Sequence, residues 1–352
     1  MAALPVYLNA WEVQGHVCKL SDSDNPTIII ISSRLLNHYK GAYMSLYELL
    51  MPYLFAGLSV GAQYAMIAIG YSMVYSILRL INFAHADVFM ISGLIMVFIA
   101  AAIGLWAIPI VIVLTVIIGF SIERVAYKPL RSAPRMSVMI SAIGVSYLLQ
   151  NLALYITGGL ARPYPRIPWI SDPISVWGFG LRRVTIVTPI LLVILVTLLV
   201  LFINKTKIGI AMRAVAKDFD TSQLMGVKIN SVISATFIIG TFLAAVGSIL
   251  FFTNFPSVFP LAGAMPGLKA FVAAVFGGIG SIPGAVIGGL LIGISESFIR
   301  GGDVILGPAG FGILSSPIDI STFTDAFTFV LLIVVLVFRP SGLFGDKPTD
   351  KV

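Results

Sequence analysis

Charged residues divide this chain into apolar runs long enough to cross a lipid bilayer, and that spacing restricts its fold more than any motif does. Leu49–Leu78 and Val88–Ile122 carry no charge. Met136–Ala161, Val184–Asn204, Asn230–Leu268 and Ala270–Ser295 follow, and Ile320–Phe338 has only Asp325 near one end. About 20 apolar residues span the hydrocarbon core of a membrane. Only 11% of the residues are charged, against about 25% in a soluble domain. The chain therefore reads as an all-α polytopic membrane protein with roughly eight to ten transmembrane or re-entrant helices. A net charge of +7 would suggest nucleic acid in a soluble protein. Here the basic residues sit mainly in short loops, where they orient the chain, and no nucleic-acid partner is expected. One cysteine, Cys18, excludes an internal disulfide framework.

Residues 1–43 are mixed in polarity and lack the basic and apolar regions of a signal peptide. They read as a disordered extension or an over-extended start before Met44, with a short folded cap as the alternative. Residues 44–345 form the membrane domain, and 346–352 a cytoplasmic tail. Leu49–Leu78 is either one long helix or two pieces broken near Gly57–Gly61. The tail of Asn230–Leu268 is rich in Pro and Gly and reads as a loop or re-entrant segment. Lys128, Arg131 and Arg135 share a side with the basic stretch Asn204–Asn230, two spans later, and with Arg339. The positive-inside rule makes that side cytoplasmic. The loop 158–184 must then be external although it carries Arg162, Arg166, Arg182 and Arg183. Its prolines, with Trp169 and Trp177, indicate an ordered cap.

Several motifs have both a structural and a functional reading. Gly280, Gly284 and Gly288 fall four apart and would line one face of a closely packed helix, with a substrate path as the minority reading. The segment Gly277–Pro283 before them reads as a turn or broken helix. Arg79–Asp87 is either a surface loop or a helix break whose Asn82, His85 and Asp87 face a pathway. One histidine and one carboxylate are too few for a metal site. Gly57-Leu58-Ser59-Val60-Gly61 matches a hydrolase nucleophile pattern, but inside an apolar run it reads as helix packing. Lys269 is placed near the outer end of a span, where its stem can snorkel. Glu296 and Arg300 form an i, i+4 pair, and Asp325 reads as solvated. No phosphate-binding P-loop is present, so any ATPase is another chain.

Within Asn204–Asn230, Ile208, Met212 and Val215 provide an apolar helical face. Asp220 is a good N-cap, Gln223 can complete a capping box, and Gly226 can end the helix in a left-handed conformation. Two short helices would meet here at an angle and form a knob.

Three stretches together resemble the permease subunits of bacterial ABC importers for branched-chain amino acids, the high-affinity leucine–isoleucine–valine type. The first runs from Ala65 through Gly70-Tyr71-Ser72-Met73-Val74-Tyr75 into Ile81-Asn82-Phe83-Ala84-His85-Ala86-Asp87, where the family pattern is close to I-N-F-A-H-G-D and Ala86 replaces glycine. The second is Asp220-Thr221-Ser222-Gln223-Leu224-Met225-Gly226, set against the E-A-A-x-x-x-G of importer permeases. The third runs from Lys269 through Gly277-Gly278-Ile279-Gly280-Ser281-Ile282-Pro283-Gly284 and ends in Phe338–Gly345.

The resemblance implies an importer permease fold in the bacterial inner membrane. It implies a second homologous permease subunit, two cytoplasmic ATPase subunits and a periplasmic binding protein as partners. ATP and Mg would lie on the ATPases, with no cofactor on this chain. Arg213, Asp218, Asp220, Thr221, Ser222, Gln223 and Gly226 become ATPase-coupling residues, and the four loop arginines become candidates for docking the binding protein. Urea and short amides are alternative cargoes. A passive channel for a small polar solute is the rival from another class, and an intramembrane hydrolase using Ser59 is a third.

Overall fold

A computed structural model describes residues 46–131, 133–176, 179–307, 320–339 and 341–345. Trp177, the extension 1–43 and the tail 346–352 lie outside the described residues. The contacts separate a small unit, 1–51 with 301–319, from a large one, 52–300 with 320–352. In chain order the helices are α1 (Leu46–Leu78), α2 (Ala84–Ile103), α3 (Ala107–Ile122), α4 (Arg135–Thr157), the short α5 (Pro168–Ser171), α6 (Arg183–Lys205), α7 (Lys207–Lys217), α8 (Phe219–Leu224), α9 (Ile229–Asn254), α10 (Ala264–Gly277), α11 (Ile282–Arg300), α12 (Gly302–Leu306) and α13 (Thr324–Phe338). The small unit contributes the start of α1 and helix α12 to the described chain.

Among the described residues, 8 helical stretches are long and apolar enough to cross a membrane. They are α1, α2, α3 with its continuation to Leu130, α4, α6, α9, α11 and Ile320–Phe338. The run beginning at Leu49 thus lies in a single helix of 33 residues that starts at Leu46. It is unbroken at Gly57–Gly61, where α11 comes close: a methyl on Gly57 would lie 2.7 Å from the Ile294 Cα, and one on Gly61 2.8 Å from the Leu290 Cα. Missing side chains allow that approach where lipid provides no hydrophobic drive. Ser59 lies inside this helix, in neither the turn nor the strand context that a hydrolase nucleophile needs.

Around Lys269 the helix boundaries follow the Pro- and Gly-rich stretches rather than the charge. The runs Asn230–Leu268 and Ala270–Ser295 regroup into α9, α10 and α11. As expected for Gly277–Pro283, a turn at 278–281 separates α10 from α11, and Gly278 and Gly280 there have φ of 105° and 96°. Glycine tolerates these angles and other residues resist them. The Gly280 amide donates to the Ser72 hydroxyl of α1 at 2.9 Å, which anchors the turn. Gly280 therefore precedes α11 and is not on its face. Gly284 and Gly288 do face α10, against the carbonyls of Gly277 and Ala273.

Lys269 does not snorkel. Only 3% of it is accessible, and its ammonium lies 2.8 Å from Glu296 and 2.6 Å from Asp325. Asp325 is thus an ion-pair partner rather than a merely solvated residue. Arg300 closes on Glu296 from the next turn of α11. One buried ammonium thereby joins α10, α11 and α13.

The loop after α4 is ordered. Strand β1 (Arg162–Pro163) pairs antiparallel with β4 (Ser257–Val258), and β2 (Pro173–Val176) with β3 (Phe179–Arg182). Its four arginines are engaged within the cap, with the end of α4 or with α9. Arg166 pairs with Asp172 at 2.9 Å, and Arg162, Arg182 and Arg183 donate to the carbonyls of Thr157, Asn254 and Trp169. At the other end of the large unit, Arg131 bonds to Asn230, and Leu343 and Phe344 donate to the carbonyls of Phe276 and Gly277.

Candidate functional site

The chain between α1 and α2 turns back into the bundle. His85 lies against Gly70, so closely that a methyl on Gly70 would strike the imidazole. Gly70 stands eight residues before the end of α1, or about 12 Å inside it at 1.5 Å per residue. Helix α2 therefore begins well within the membrane-length region. Arg79, with φ of 55°, makes the reversal. Asn82, His85 and Asp87 are all buried, each in a different setting. The Tyr127 hydroxyl donates to Asn82 Oδ1 at 2.5 Å. His85 stacks edge-on to Tyr71 with centroids 5.0 Å apart. Asp87 accepts from Ser146 Oγ at 2.5 Å and from Gln150 Nε2 at 3.0 Å. The surface-loop reading of this patch is therefore replaced by a helix break inside the bundle.

A cavity of about 160 Å³ opens beside the break. Tyr71, Asp87, Ser146, Gln150 and Phe271 are among its lining residues, together with Ala264 and Gly267 at the start of α10. Two helix N-termini, those of α2 and α10, thus meet at one cavity, mainly apolar, with Asp87, Ser146 and Gln150 among its polar groups. Discontinuous helices of this kind are used by transporters to present backbone dipoles to cargo at mid-depth.

The second element is the knob. Thr206 caps α7, its hydroxyl accepting from the Gly209 amide at 3.0 Å. Gly209, Met212 and Val215 form the buried face, while Ile208 is exposed, one position off the expected stripe. The cap of α8 is Asp218, which accepts from the Thr221 amide at 3.0 Å, rather than Asp220, which lies in the first turn. Gly226 has φ of 84°. Its amide donates to Gln223 and that of Val227 to Ser222, the double bond that closes a helix C-terminus. Arg213, Asp220, Thr221 and Gln223 are exposed and Ser222 is buried. The tip also presents Leu224 and Met225, accessible to 87% and 80%.

Arg79 joins the two elements. Its guanidinium donates to the Ala216 carbonyl at 3.0 Å, at the C-terminal end of α7. The break and the knob are thereby bonded directly.

The chain matches the family described as branched-chain amino acid transport system / permease component over residues 53–336. It belongs to that family. It is 40% identical over 311 residues to the high-affinity branched-chain amino acid transport system permease protein BraD of Pseudomonas aeruginosa, covering 84% of this chain and 96% of that protein. Identity to LivH of Escherichia coli, of the same description, is 37% over 313 residues, covering 85% and 96%. A probable branched-chain amino acid transport permease protein LivH of Methanocaldococcus jannaschii is 26% identical over 292 residues, covering 80% and 88%.

Within this permease, Ala86 has an explanation at the site. It is helical, so the position requires no left-handed backbone. Its methyl occupies the space that a side chain on Gly267 would need. Tyr127, Ser146 and Gln150 escaped the sequence reading because they lie in stretches read only for length and charge. One available signal was the i, i+4 spacing of Ser146 and Gln150, the only strongly polar pair on that face of α4. Glu123 is another such residue: fully buried, it is held by Arg131 and by the Ser234 hydroxyl at 2.9 Å.

Proposed function

We propose that this permease imports branched-chain or closely related amino acids across the bacterial inner membrane, driven by ATP hydrolysis on two partner ATPase subunits. It pairs with a second, homologous permease subunit, and a periplasmic binding protein delivers the cargo to its outer face. The observation that carries the coupling is the Arg79–Ala216 bond, which links the polar break to the knob. The cargo follows from the names of the relatives, since BraD and LivH are named for branched-chain amino acid transport.

ATP closes the ATPase pair and displaces Leu224, Met225 and the α8 segment containing Asp218, Asp220, Thr221, Ser222, Gln223 and Gly226, with Arg213 beside it. Motion of α7 is passed through Arg79 to the segment carrying Asn82, His85 and Asp87. That segment is the gate. Gly284 and Gly288 keep α10 and α11 in close register as the gate moves. In vesicles holding the complete assembly, labelled leucine accumulates only with ATP and binding protein. Flux in the absence of both favours the passive-channel reading and overturns this one.

The outer arginines supply the docking surface, with Arg166 exposed and Arg162, Arg182 and Arg183 holding the cap in place. Reversal at Arg166, as Arg166→Glu, weakens capture of the binding protein, and weakens it more at low than at high salt. Binding that shows no salt dependence removes the arginines from the interface.

A further inference from the structure

One face of α1 carries polar atoms that the described chain does not satisfy. Ser59 and Gln63 are fully buried, and neither the Ser59 hydroxyl nor either amide atom of Gln63 has a hydrogen-bond partner among the described residues. Two turns on, at Gly70, the same face meets His85, whose Nε2 is also buried and unpaired. Ser92, two turns beyond His85 on α2, has a buried hydroxyl that is likewise unpaired among the described residues.

Helix α9 sets the register. Gly240 lies beside Gly70 and His85, and Gly247 beside Met66 and the Gln63 carbonyl. The Ser248 hydroxyl donates to the Phe89 carbonyl at 2.7 Å. Helices α2 and α9 therefore both run opposite to α1, and Ser92, one turn past Phe89, falls between the levels of Gln63 and Ser59. The unpaired atoms line a single α1–α2–α9 seam, about 16 Å from Gly70 to Ser59 at 1.5 Å per residue. Gly70, Gly240 and Gly247 along it account for close packing. They do not account for an unpaired amide and two unpaired hydroxyls, which buried sites normally satisfy. Polar side chains at membrane depth face the bundle interior or a water-filled cavity, pair with one another or with backbone carbonyls, and mark solute or ion pathways.

We infer that this seam is a stretch of the translocation path that binds the zwitterionic head of an α-amino acid. The inference rests on the amino-acid reading above. The Gln63 amide offers two donors and an acceptor, and each hydroxyl offers a donor and an acceptor. The set can therefore hold a carboxylate and an ammonium together. None of these groups carries a fixed charge, which matches a ligand with no net charge. Met66, Ile67, Phe89 and Phe252 supply apolar walls for an aliphatic side chain.

The test uses the complete transporter in vesicles. Cys18, the single cysteine, is first removed as Cys18→Ala. Ser92→Cys, which exchanges one small polar group for another, and Gln63→Cys are then added separately. A small water-soluble methanethiosulfonate is the probe. Labelling at both positions is expected to differ by about tenfold between the nucleotide-free and vanadate-trapped states, equivalent to about 1.4 kcal/mol. Saturating leucine with binding protein should slow labelling of Ser92→Cys by a similar factor. Labelling in no state, or at one rate in every state, overturns the seam as a path. Leucine uptake by the Cys18→Ala parent is measured alongside. Uptake with a thiol that leucine leaves unprotected overturns the seam alone. Absence of uptake overturns the amino-acid reading and the ligand assigned here with it.

Discussion

Gly226→Val is expected to cut ATP-driven uptake by about tenfold or more while the protein stays in the membrane at its normal level. Gly226 has φ of 84°, and its amide and that of Val227 close the end of α8. A β-branched residue held in that region costs roughly 1–3 kcal/mol. A cost of about 1.4 kcal/mol is tenfold in an equilibrium. The strain is relieved by unwinding the last turn, which displaces Leu224 and Met225, the apolar tip exposed next to it. No atom lies within 4 Å of a methyl placed on Gly226, so the defect is conformational rather than steric. Asparagine tolerates left-handed backbone better than valine, and Gly226→Asn should retain most of the uptake. The two variants are compared by uptake and by co-purification of the ATPase. Equal uptake in both would remove the knob from the coupling.

The second large effect is on stability. Lys269→Met removes the ammonium that faces Glu296 and Asp325. Breaking a buried pair by deleting one partner costs about 3–5 kcal/mol, because a charge is left uncompensated. Most of that cost falls on Glu296, which is 1% accessible, and little on Asp325, whose side chain is 46% accessible. Arg300 still reaches Glu296 and softens the loss. The variant should show a lower Tm in detergent and a reduced yield. Lys269→Met with Glu296→Gln should recover part of the Tm, since no buried anion then remains. An unchanged Tm in the single variant would mean that the cluster contributes nothing to the bundle.

The spans were legible in the sequence because lipid forbids exposed backbone, so the chain must spell them as long uncharged helices. The placements of Lys269 and Asp325 failed for one reason. Dividing the chain at its charges assumes that each charge sits at a membrane surface. Lys269 breaks that assumption, because Glu296, 27 residues away, and Asp325 neutralise it in the interior. The break nearby, legible in the glycines of Gly277–Pro283, is made by the backbone angles of Gly278 and Gly280. In the knob, composition indicated two short helices ended by a glycine. It could not select Asp218 over Asp220 as the cap, because both are aspartates at the start of the same turn.

The polar break shows the same division at the site. Asn82, His85 and Asp87 stood out in the sequence because polar groups between two apolar runs are unusual there. Their partners did not. Tyr127 lies 45 residues from Asn82, and Ser146 and Gln150 lie 59 and 63 residues from Asp87. By itself the sequence determined that the chain is a helical membrane protein, roughly where its apolar runs lie, and which short polar stretches interrupt them. Hydrophobicity and chain length, both local properties, are enough for that. Only the tertiary structure decided which buried polar groups are satisfied and which are left unpaired. That depends on the register between helices, set by glycine contacts and by hydrogen bonds between residues far apart in the chain.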